Sequence, residues 1–171
     1  MKNTFGKYMK ISFATIALLI AAMAQTSIQA QDKAESEGND QSADRIVGAW
    51  ETTVTPVDCG TGVQISPSFQ GLITFNEGGT IAEYGANPAT PYRTPGHGIW
   101  SGGRQGNYSM RFSFIPLTPA GAPVGRLRVS QSMVLDRFSD ISSSSGSFVL
   151  TTFGGNVIGT GCSTAVSVRL N

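Results

Sequence analysis

The single histidine of the chain is the first residue that could do acid–base chemistry. His97 stands between two glycines, within residues 94–100 (TPGHGIW). An imidazole can take or give a proton near neutral pH. The sequence supplies no nucleophile and no carboxylate at a spacing that would orient this ring, so a structural or exposed histidine is the better interpretation.

Three further polar residues are candidates for chemistry, and none carries a recognisable motif. Gln131 interrupts the apolar face of its predicted strand, and a buried amide needs a partner: another side chain, a trapped water or a ligand. Tyr108 and Tyr84 complete the set of weak catalytic candidates with His97. No glycine-rich phosphate loop and no G-x-S-x-G run is present, so neither nucleotide binding nor esterase chemistry is expected.

The two cysteines offer either metal binding or a disulfide. Cys59 and Cys162 form no C-x-x-C pair, and one histidine adds too little for a zinc site. Two cysteines in an oxidising compartment usually pair with each other. We therefore predict a Cys59–Cys162 disulfide, no metal site and no cofactor.

Short strands separated by turn residues occupy the chain from about residue 45 onward. Turn clusters recur about every eight to twelve residues, which favours a sandwich or barrel over crossover helices. Residues 142–146 (SSSSG) are interpreted as a flexible hairpin loop. The predicted fold is all-β, a single eight-stranded antiparallel up-and-down barrel, with strands at 49–57, 69–75, 80–84, 98–101, 107–115, 126–135, 147–153 and 163–170.

The cysteine positions agree with closure of this sheet. In an eight-stranded up-and-down barrel the first and last strands are antiparallel neighbours, so the end of one lies beside the start of the other. Cys59 and Cys162 fall at that place. The predicted register sets Trp50 opposite Leu170 and turns Val168 toward the interior.

Alternation along the strands predicts which side chains line the interior. An eight-stranded barrel is either filled by its side chains or holds one small ligand. Small residues at Gly71, Thr52 and Thr152 leave room for a partial cavity, and the loops 85–96 and 116–125 would form or cover its entrance. The predicted ligand-binding residues are Phe69, Ile73, Phe75, Tyr108, Met110, Phe112, Phe114, Gln131 and Met133.

Residues 1–30 have the pattern of a cleavable signal peptide. Three lysines precede an apolar run over 11–24. This run is shorter than the roughly 20 apolar residues that a membrane-spanning helix needs. Cleavage after Ala24 or after Ala30 fits the small-residue pattern, and we place it after Ala30. The predicted location is secreted or periplasmic.

The part that remains after cleavage is nearly neutral. Removing residues 1–30 takes away three lysines and no acidic residue, leaving nine basic and 11 acidic residues, a net charge of −2. Without a basic run, a nucleic-acid partner and a membrane-surface role are not expected. Residues 31–44 are polar and predicted to be a disordered spacer, and residues 45–171 form the barrel domain.

Residues 46–50 (IVGAW), together with Arg169, resemble a motif of the lipocalin-like and wider calycin barrels. In those families a Gly-x-Trp opens the first strand, and an arginine of the last strand packs across the tryptophan. The resemblance implies structural roles for Gly48, Trp50 and Arg169, which would close one end of the barrel. The second lipocalin signature is missing, and the chain is also similar in strand count to allene-oxide-cyclase-like and natural-product cyclase barrels.

Three functions are compatible with these observations. The leading hypothesis is an exported barrel that binds a small apolar ligand in its interior without catalysis. The second is a cofactor-free cyclase or isomerase acting on a polyene or polyketide-like substrate, by holding it near its reactive geometry. The third is a structural or inhibitory barrel that binds a protein partner through loops such as 85–96, with Tyr92 exposed. A cavity of about a few hundred Å³ favours the first two hypotheses.

Overall fold

Eight antiparallel strands follow one another around a closed sheet in the computed structural model, which describes residues 44–171. Each strand pairs with the next along the chain, and the last pairs with the first, which confirms the predicted up-and-down barrel. The predicted signal peptide, and all but the last residue of the predicted spacer, lie outside the described residues. The strands are β1 Gly48–Val57, β2 Phe69–Phe75, β3 Thr80–Gly85, β4 Gly96–Gly102, β5 Asn107–Phe114, β6 Arg126–Leu135, β7 Ile141–Thr151 and β8 Val157–Arg169.

The two ends of the barrel differ in their connections. At the end where β1 begins, which we call the closed end, short turns join the strands, two of them through single turns of 3-10 helix at Glu77–Gly79 and Arg104–Gly106. The opposite end, the open end, carries the longer connections at 58–68, 86–95 and 115–125. Long loops therefore cover the interior of the barrel at the open end only.

Trp50 and Ile46 fill the closed end, and both are fully buried. The indole Nε1 of Trp50 donates a hydrogen bond to the carbonyl oxygen of Ile46 at 2.9 Å. Arg169 lies across the Trp50 ring, with its guanidinium carbon 4.4 Å from the ring centre. Gly48 has a φ of +133°, and a Cβ there would lie 2.6 Å from Arg169 Nη1, so glycine is required on both grounds.

The register between β1 and β8 differs by one residue from the predicted one. Trp50 pairs with Arg169, not with Leu170. Because side chains alternate between the two faces, this shift turns Val166 and Val168 outward, where about half of each is exposed (51% and 50%). The contacts of Arg169 across Trp50 and with the backbone at the closed end hold this register. The inner face of β8 carries small side chains, those of Ser163, Ala165 and Ser167.

The serine run at 142–146 is part of a strand, so its interpretation as a flexible loop was wrong. β7 extends over Ile141–Thr151 and pairs with β6 on one edge and β8 on the other. Ser142 lies opposite Leu135 of β6 and is only 2% exposed. The run lacks the apolar alternation that marks a strand, and its strand conformation follows from backbone pairing with two long neighbours. β8 likewise begins earlier than predicted, at Val157.

The predicted disulfide is confirmed. Cys59 and Cys162 are bonded, with their Cα atoms 5.2 Å apart, at the open end of the barrel. The bond joins the β1–β2 connection to β8, next to the pair formed by Val57 and Cys162. Within residues 44–171, no helix is long and apolar enough to cross a membrane.

Candidate functional site

A cavity of about 250 Å³ lies inside the barrel and reaches its open end. One wall is bulky and comes mainly from β2 and β5, and it includes Phe69, Ile73, Phe75, Met110, Phe112 and Phe114. Another part of the wall, which we call the small wall, comes from the neighbouring strands β1 and β8 and includes Thr52, Val54, Ser163, Ala165 and Ser167. Because the small wall carries short side chains, the interior is not filled, and the space that remains is the cavity.

Apart from Tyr108, every residue predicted to bind a ligand borders this cavity. Tyr108 is buried toward the closed end, where its ring packs edge-on against Trp100 with 5.9 Å between ring centres. Phe148 and Leu150 of β7 also border the cavity; both lie within the predicted strand 147–153 but were not among the predicted ligand-binding residues. Ligand binding by these residues stays a prediction.

Gln131 is held by neighbouring serines. The hydroxyl of Ser144 donates to Gln131 Oε1 at 2.9 Å, and Gln131 Nε2 donates to Ser163 Oγ at 3.1 Å. A second polar pair on the small wall, Thr52 and Ser167, shares a hydrogen bond of 2.8 Å between hydroxyl oxygens. The sequence left three kinds of partner open for the buried Gln131 amide: another side chain, a trapped water or a ligand. The partners in the structure are other side chains.

His97 and Tyr84 lie away from the cavity, and both are exposed. His97 pairs across the sheet with Ala82 and with Ser113. Glu83, the residue after Ala82, points to the opposite face and borders the cavity. It therefore does not orient the His97 ring.

A buried ion pair that the sequence analysis did not identify borders the cavity at its open end. The side chains of Glu83 and Arg93 are 12% and 3% exposed. Arg93 Nη1 donates to Glu83 Oε1 at 3.3 Å, and Nη2 contacts Glu83 Oε2. Arg93 Nε donates to the carbonyl oxygen of Thr94 at 3.1 Å, and the guanidinium carbon lies 3.6 Å from the centre of the Phe114 ring. These contacts fix both charged groups in one geometry.

Two features of the strands place the Glu83 side chain at the cavity: its inward position on β3 and the space left by Gly96. It lies two residues after the buried Ile81, and thus on the same inward face of β3. Gly96 pairs with it on β4, and a Cβ at that position would overlap the Glu83 carboxylate. Burial raises the pKa of the Glu83 carboxyl above its ordinary value, although the hydrogen bond and charge of Arg93 lower it.

Thr90 adds a hydroxyl to the same end of the cavity. Its Oγ1 atom is buried and has no hydrogen-bond partner among residues 44–171. A turn holds the segment, since the Thr90 amide donates to the Asn87 carbonyl at 3.0 Å. The Asn87 side chain also accepts a hydrogen bond from the Ala89 amide at 2.9 Å. A buried hydroxyl without a partner indicates a place where a bound molecule could supply one.

The connection 86–95, which carries Thr90 and Arg93, is tied to the β5–β6 connection. The Leu117 amide donates to the Tyr92 carbonyl at 2.8 Å. The amide of Ile115 donates to the Thr94 hydroxyl at 3.0 Å. The two long connections at the open end thus support each other, while the Tyr92 side chain remains half exposed.

Among residues 44–171, no three histidine, cysteine, aspartate or glutamate side chains are grouped closely enough to hold a metal ion. Comparisons with protein-family models, with curated proteins and with solved structures found no match. The geometry of the cavity and its polar groups is therefore the basis for assigning a function.

Proposed function

We propose that this chain is an exported β-barrel protein that binds a small, mainly apolar molecule in its interior. The observation that carries the proposal is the cavity of about 250 Å³, which is bordered by bulky, mainly aromatic side chains of β2 and β5 and by the small side chains of β1 and β8. A well-packed interior has few voids larger than a water molecule, so a space of this size is not ordinary packing. Concave, mostly apolar spaces with a few polar groups are the usual form of small-molecule sites.

The size of the cavity limits the ligand. An apolar cavity of about 150 Å³ is large enough for benzene, so this one takes a molecule of about ten non-hydrogen atoms. Drug-sized ligands occupy larger pockets, of about 300–1,000 Å³. A compact hydrocarbon, a short chain or a substituted single ring fits, whereas a large fused-ring molecule does not.

Two observations support export. The first 30 residues carry the charged and apolar regions of a signal peptide. The Cys59–Cys162 disulfide is of the kind that persists in oxidising compartments. We therefore place the mature barrel outside the cytoplasm, in the periplasm or secreted.

A lipocalin-like assignment is part of the proposal. The closed eight-stranded barrel is compatible with it, and Gly48, Trp50 and Arg169 make the cross-packing that the resemblance implies. In this assignment the closed end is a structural plug, and ligand enters from the open end. The buried Glu83–Arg93 pair lies at that entrance.

A second candidate, a cofactor-free isomerase or cyclase, is favoured by one observation. The Glu83 carboxyl borders the cavity with a raised pKa, which suits a group that exchanges protons with a substrate. Arg93 holds both carboxylate oxygens, which favours a binding role instead. If mass spectrometry shows that a co-purified molecule is converted to a product over time, the barrel is an enzyme.

The direct experiment is native mass spectrometry of the mature barrel exported by its own host. We expect a bound molecule of about ten non-hydrogen atoms. Titration calorimetry with ethylbenzene then tests the cavity with a known probe. The Ala165→Leu variant fills the cavity from the small wall and should abolish binding.

The matched control is Thr164→Leu, which adds a similar side chain one residue away on the exposed face of β8. It should bind ethylbenzene as the unaltered protein does. Binding that is equally strong in Ala165→Leu, or no binding to the unaltered barrel, would refute the interior site.

A further inference from the structure

The polar groups of the cavity are unevenly distributed, and this distribution carries information about the ligand. Gln131 is hydrogen-bonded to Ser144 and Ser163, and Thr52 is hydrogen-bonded to Ser167. Glu83, Thr90 and Arg93, which we call the polar end, lie where the cavity meets the connection 86–95. A ligand therefore meets an apolar surface over most of its length and polar groups at one end.

The charges at the polar end cancel each other. Glu83 and Arg93 are bonded through both carboxylate oxygens, and each side chain is at least seven-eighths buried, at 12% and 3% exposed. An anionic head group placed there would face the Glu83 carboxylate, and a cationic one would face the Arg93 guanidinium. Burying an additional, unpaired charge is costly, so the site favours an uncharged head group.

The hydrogen-bonding capacity of the polar end is not exhausted. A guanidinium has five N–H donors, and the bonds to Glu83 and Thr94 use three of those of Arg93. Each Glu83 oxygen accepts one of these bonds and has a second lone pair. The buried Thr90 hydroxyl has no partner among residues 44–171 and can either donate or accept. Both donors and acceptors are thus available.

From this arrangement we infer that the ligand is an apolar alcohol whose hydroxyl group is bound at the polar end by Glu83, Thr90 and Arg93. A hydroxyl both donates and accepts, so it can use a carboxylate oxygen and an N–H or hydroxyl donor at once. A ketone accepts only, and a hydrocarbon leaves the Thr90 hydroxyl without a partner. This inference rests on the proposed function, since it names the chemical class of the molecule that the cavity binds.

Four probes of similar size and shape test the inference by titration calorimetry at neutral pH: ethylbenzene, 2-phenylethanol, phenylacetate and 2-phenylethylammonium. We expect 2-phenylethanol to bind at least as tightly as ethylbenzene, although its hydroxyl must leave water. Both charged probes should bind at least about tenfold more weakly than the alcohol. A charged probe that binds as tightly as the alcohol overturns the inference.

The Thr90→Val variant removes the hydroxyl at nearly constant volume. Because the hydroxyl has no hydrogen-bond partner among residues 44–171, its removal should leave the fold stable. Binding of 2-phenylethanol should weaken by about 3- to 10-fold, and binding of ethylbenzene should change less than about twofold. The control, Thr160→Val on the exposed face of β8, should change neither.

The outcomes separate this inference from the function on which it rests. If ethylbenzene binds but 2-phenylethanol binds much more weakly, or if Thr90→Val does not discriminate between them, the alcohol assignment is wrong and the interior site stands. If none of the four probes binds, the interior site itself is wrong, and the assignment fails with it.

Discussion

The guanidinium carbon of Arg169 lies 4.4 Å from the centre of the Trp50 ring, joining the last strand of the barrel to the first. The same guanidinium donates to the Val47 carbonyl at 2.7 Å and to Asp140 Oδ1 at 2.8 Å. It therefore connects β8, the segment before β1 and the β6–β7 turn. Because these contacts need Arg169 and Trp50 on the same face, they also select the register between the two strands.

Replacing this arginine should loosen the closed end. Arg169→Leu removes the cation–π contact and the charged hydrogen bonds, and we expect it to lower the free energy of unfolding by about 2–4 kcal/mol. Urea denaturation measures the loss. The control, Arg128→Leu on the exposed face of β6, should change stability by less than about 0.5 kcal/mol. Equal losses in the two variants would contradict a special role for Arg169.

The sequence predicts best those strands in which apolar and polar residues alternate and turn residues mark both ends. Phe69–Phe75 and Arg126–Leu135 were predicted with the bounds that the structure has. The inner face of β7 near the closed end is made of small polar residues, and the serine run there carries no apolar period. The second half of β7 was predicted as the strand 147–153, and the serine-rich first half is the part that the sequence pattern did not reveal.

The polar end of the cavity was only partly visible in the sequence. Glu83 falls at an inward position of β3, two residues after Ile81, so its burial could have been expected from alternation. Arg93 comes from a connection without periodicity, and its position depends on contacts with the β5–β6 connection and with Phe114. Pairing between a strand residue and a loop residue depends on the fold as a whole.

The disulfide should contribute strongly to stability, because it joins residues 103 positions apart. We expect the double variant Cys59→Ser/Cys162→Ser to lose about 2–5 kcal/mol of unfolding free energy. Urea denaturation with and without a thiol reductant provides the measurement. The reductant should lower the stability of the unaltered barrel to that of the double variant, and should leave the variant unchanged. A barrel whose stability does not respond to reductant would contradict this expectation.

Removal of Arg93 should leave the Glu83 carboxylate buried without its partner. We expect Arg93→Met to lower the free energy of unfolding at neutral pH by about 3–5 kcal/mol. Adding Glu83→Gln to it removes the uncompensated charge and should recover part of that loss. Urea denaturation of both variants tests this. If the double variant is less stable than Arg93→Met alone, the carboxylate is not the source of the loss.

Glu83 should also make stability depend on pH. Burial raises its pKa above the ordinary value of 4.5, although the hydrogen bond and charge of Arg93 lower it. The native state therefore binds this proton more tightly than the unfolded chain does. The contribution of Glu83 is fully present below pH 4.5 and is lost as the pH rises through the value in the folded protein.

Two aspartates make stability depend on pH in the opposite direction and over a lower pH range. Hydrogen bonds from the Thr61 amide to Asp58, and from the Phe138 amide to Asp136, lower their pKa values below 3.8. Stability from these groups is present above pH 3.8 and is lost as the pH falls below it. The range above pH 4.5 is therefore the one in which Glu83 can be observed without them.

The measurement is the difference in unfolding free energy between the unaltered barrel and Glu83→Gln, followed from about pH 4 to 8. Glutamine does not titrate, so the aspartates and the other shared groups cancel in the difference. We expect the unaltered barrel to lose stability relative to the variant as the pH rises above 4.5. A difference that stays constant or changes in the opposite sense would show that Arg93 outweighs burial at this carboxyl.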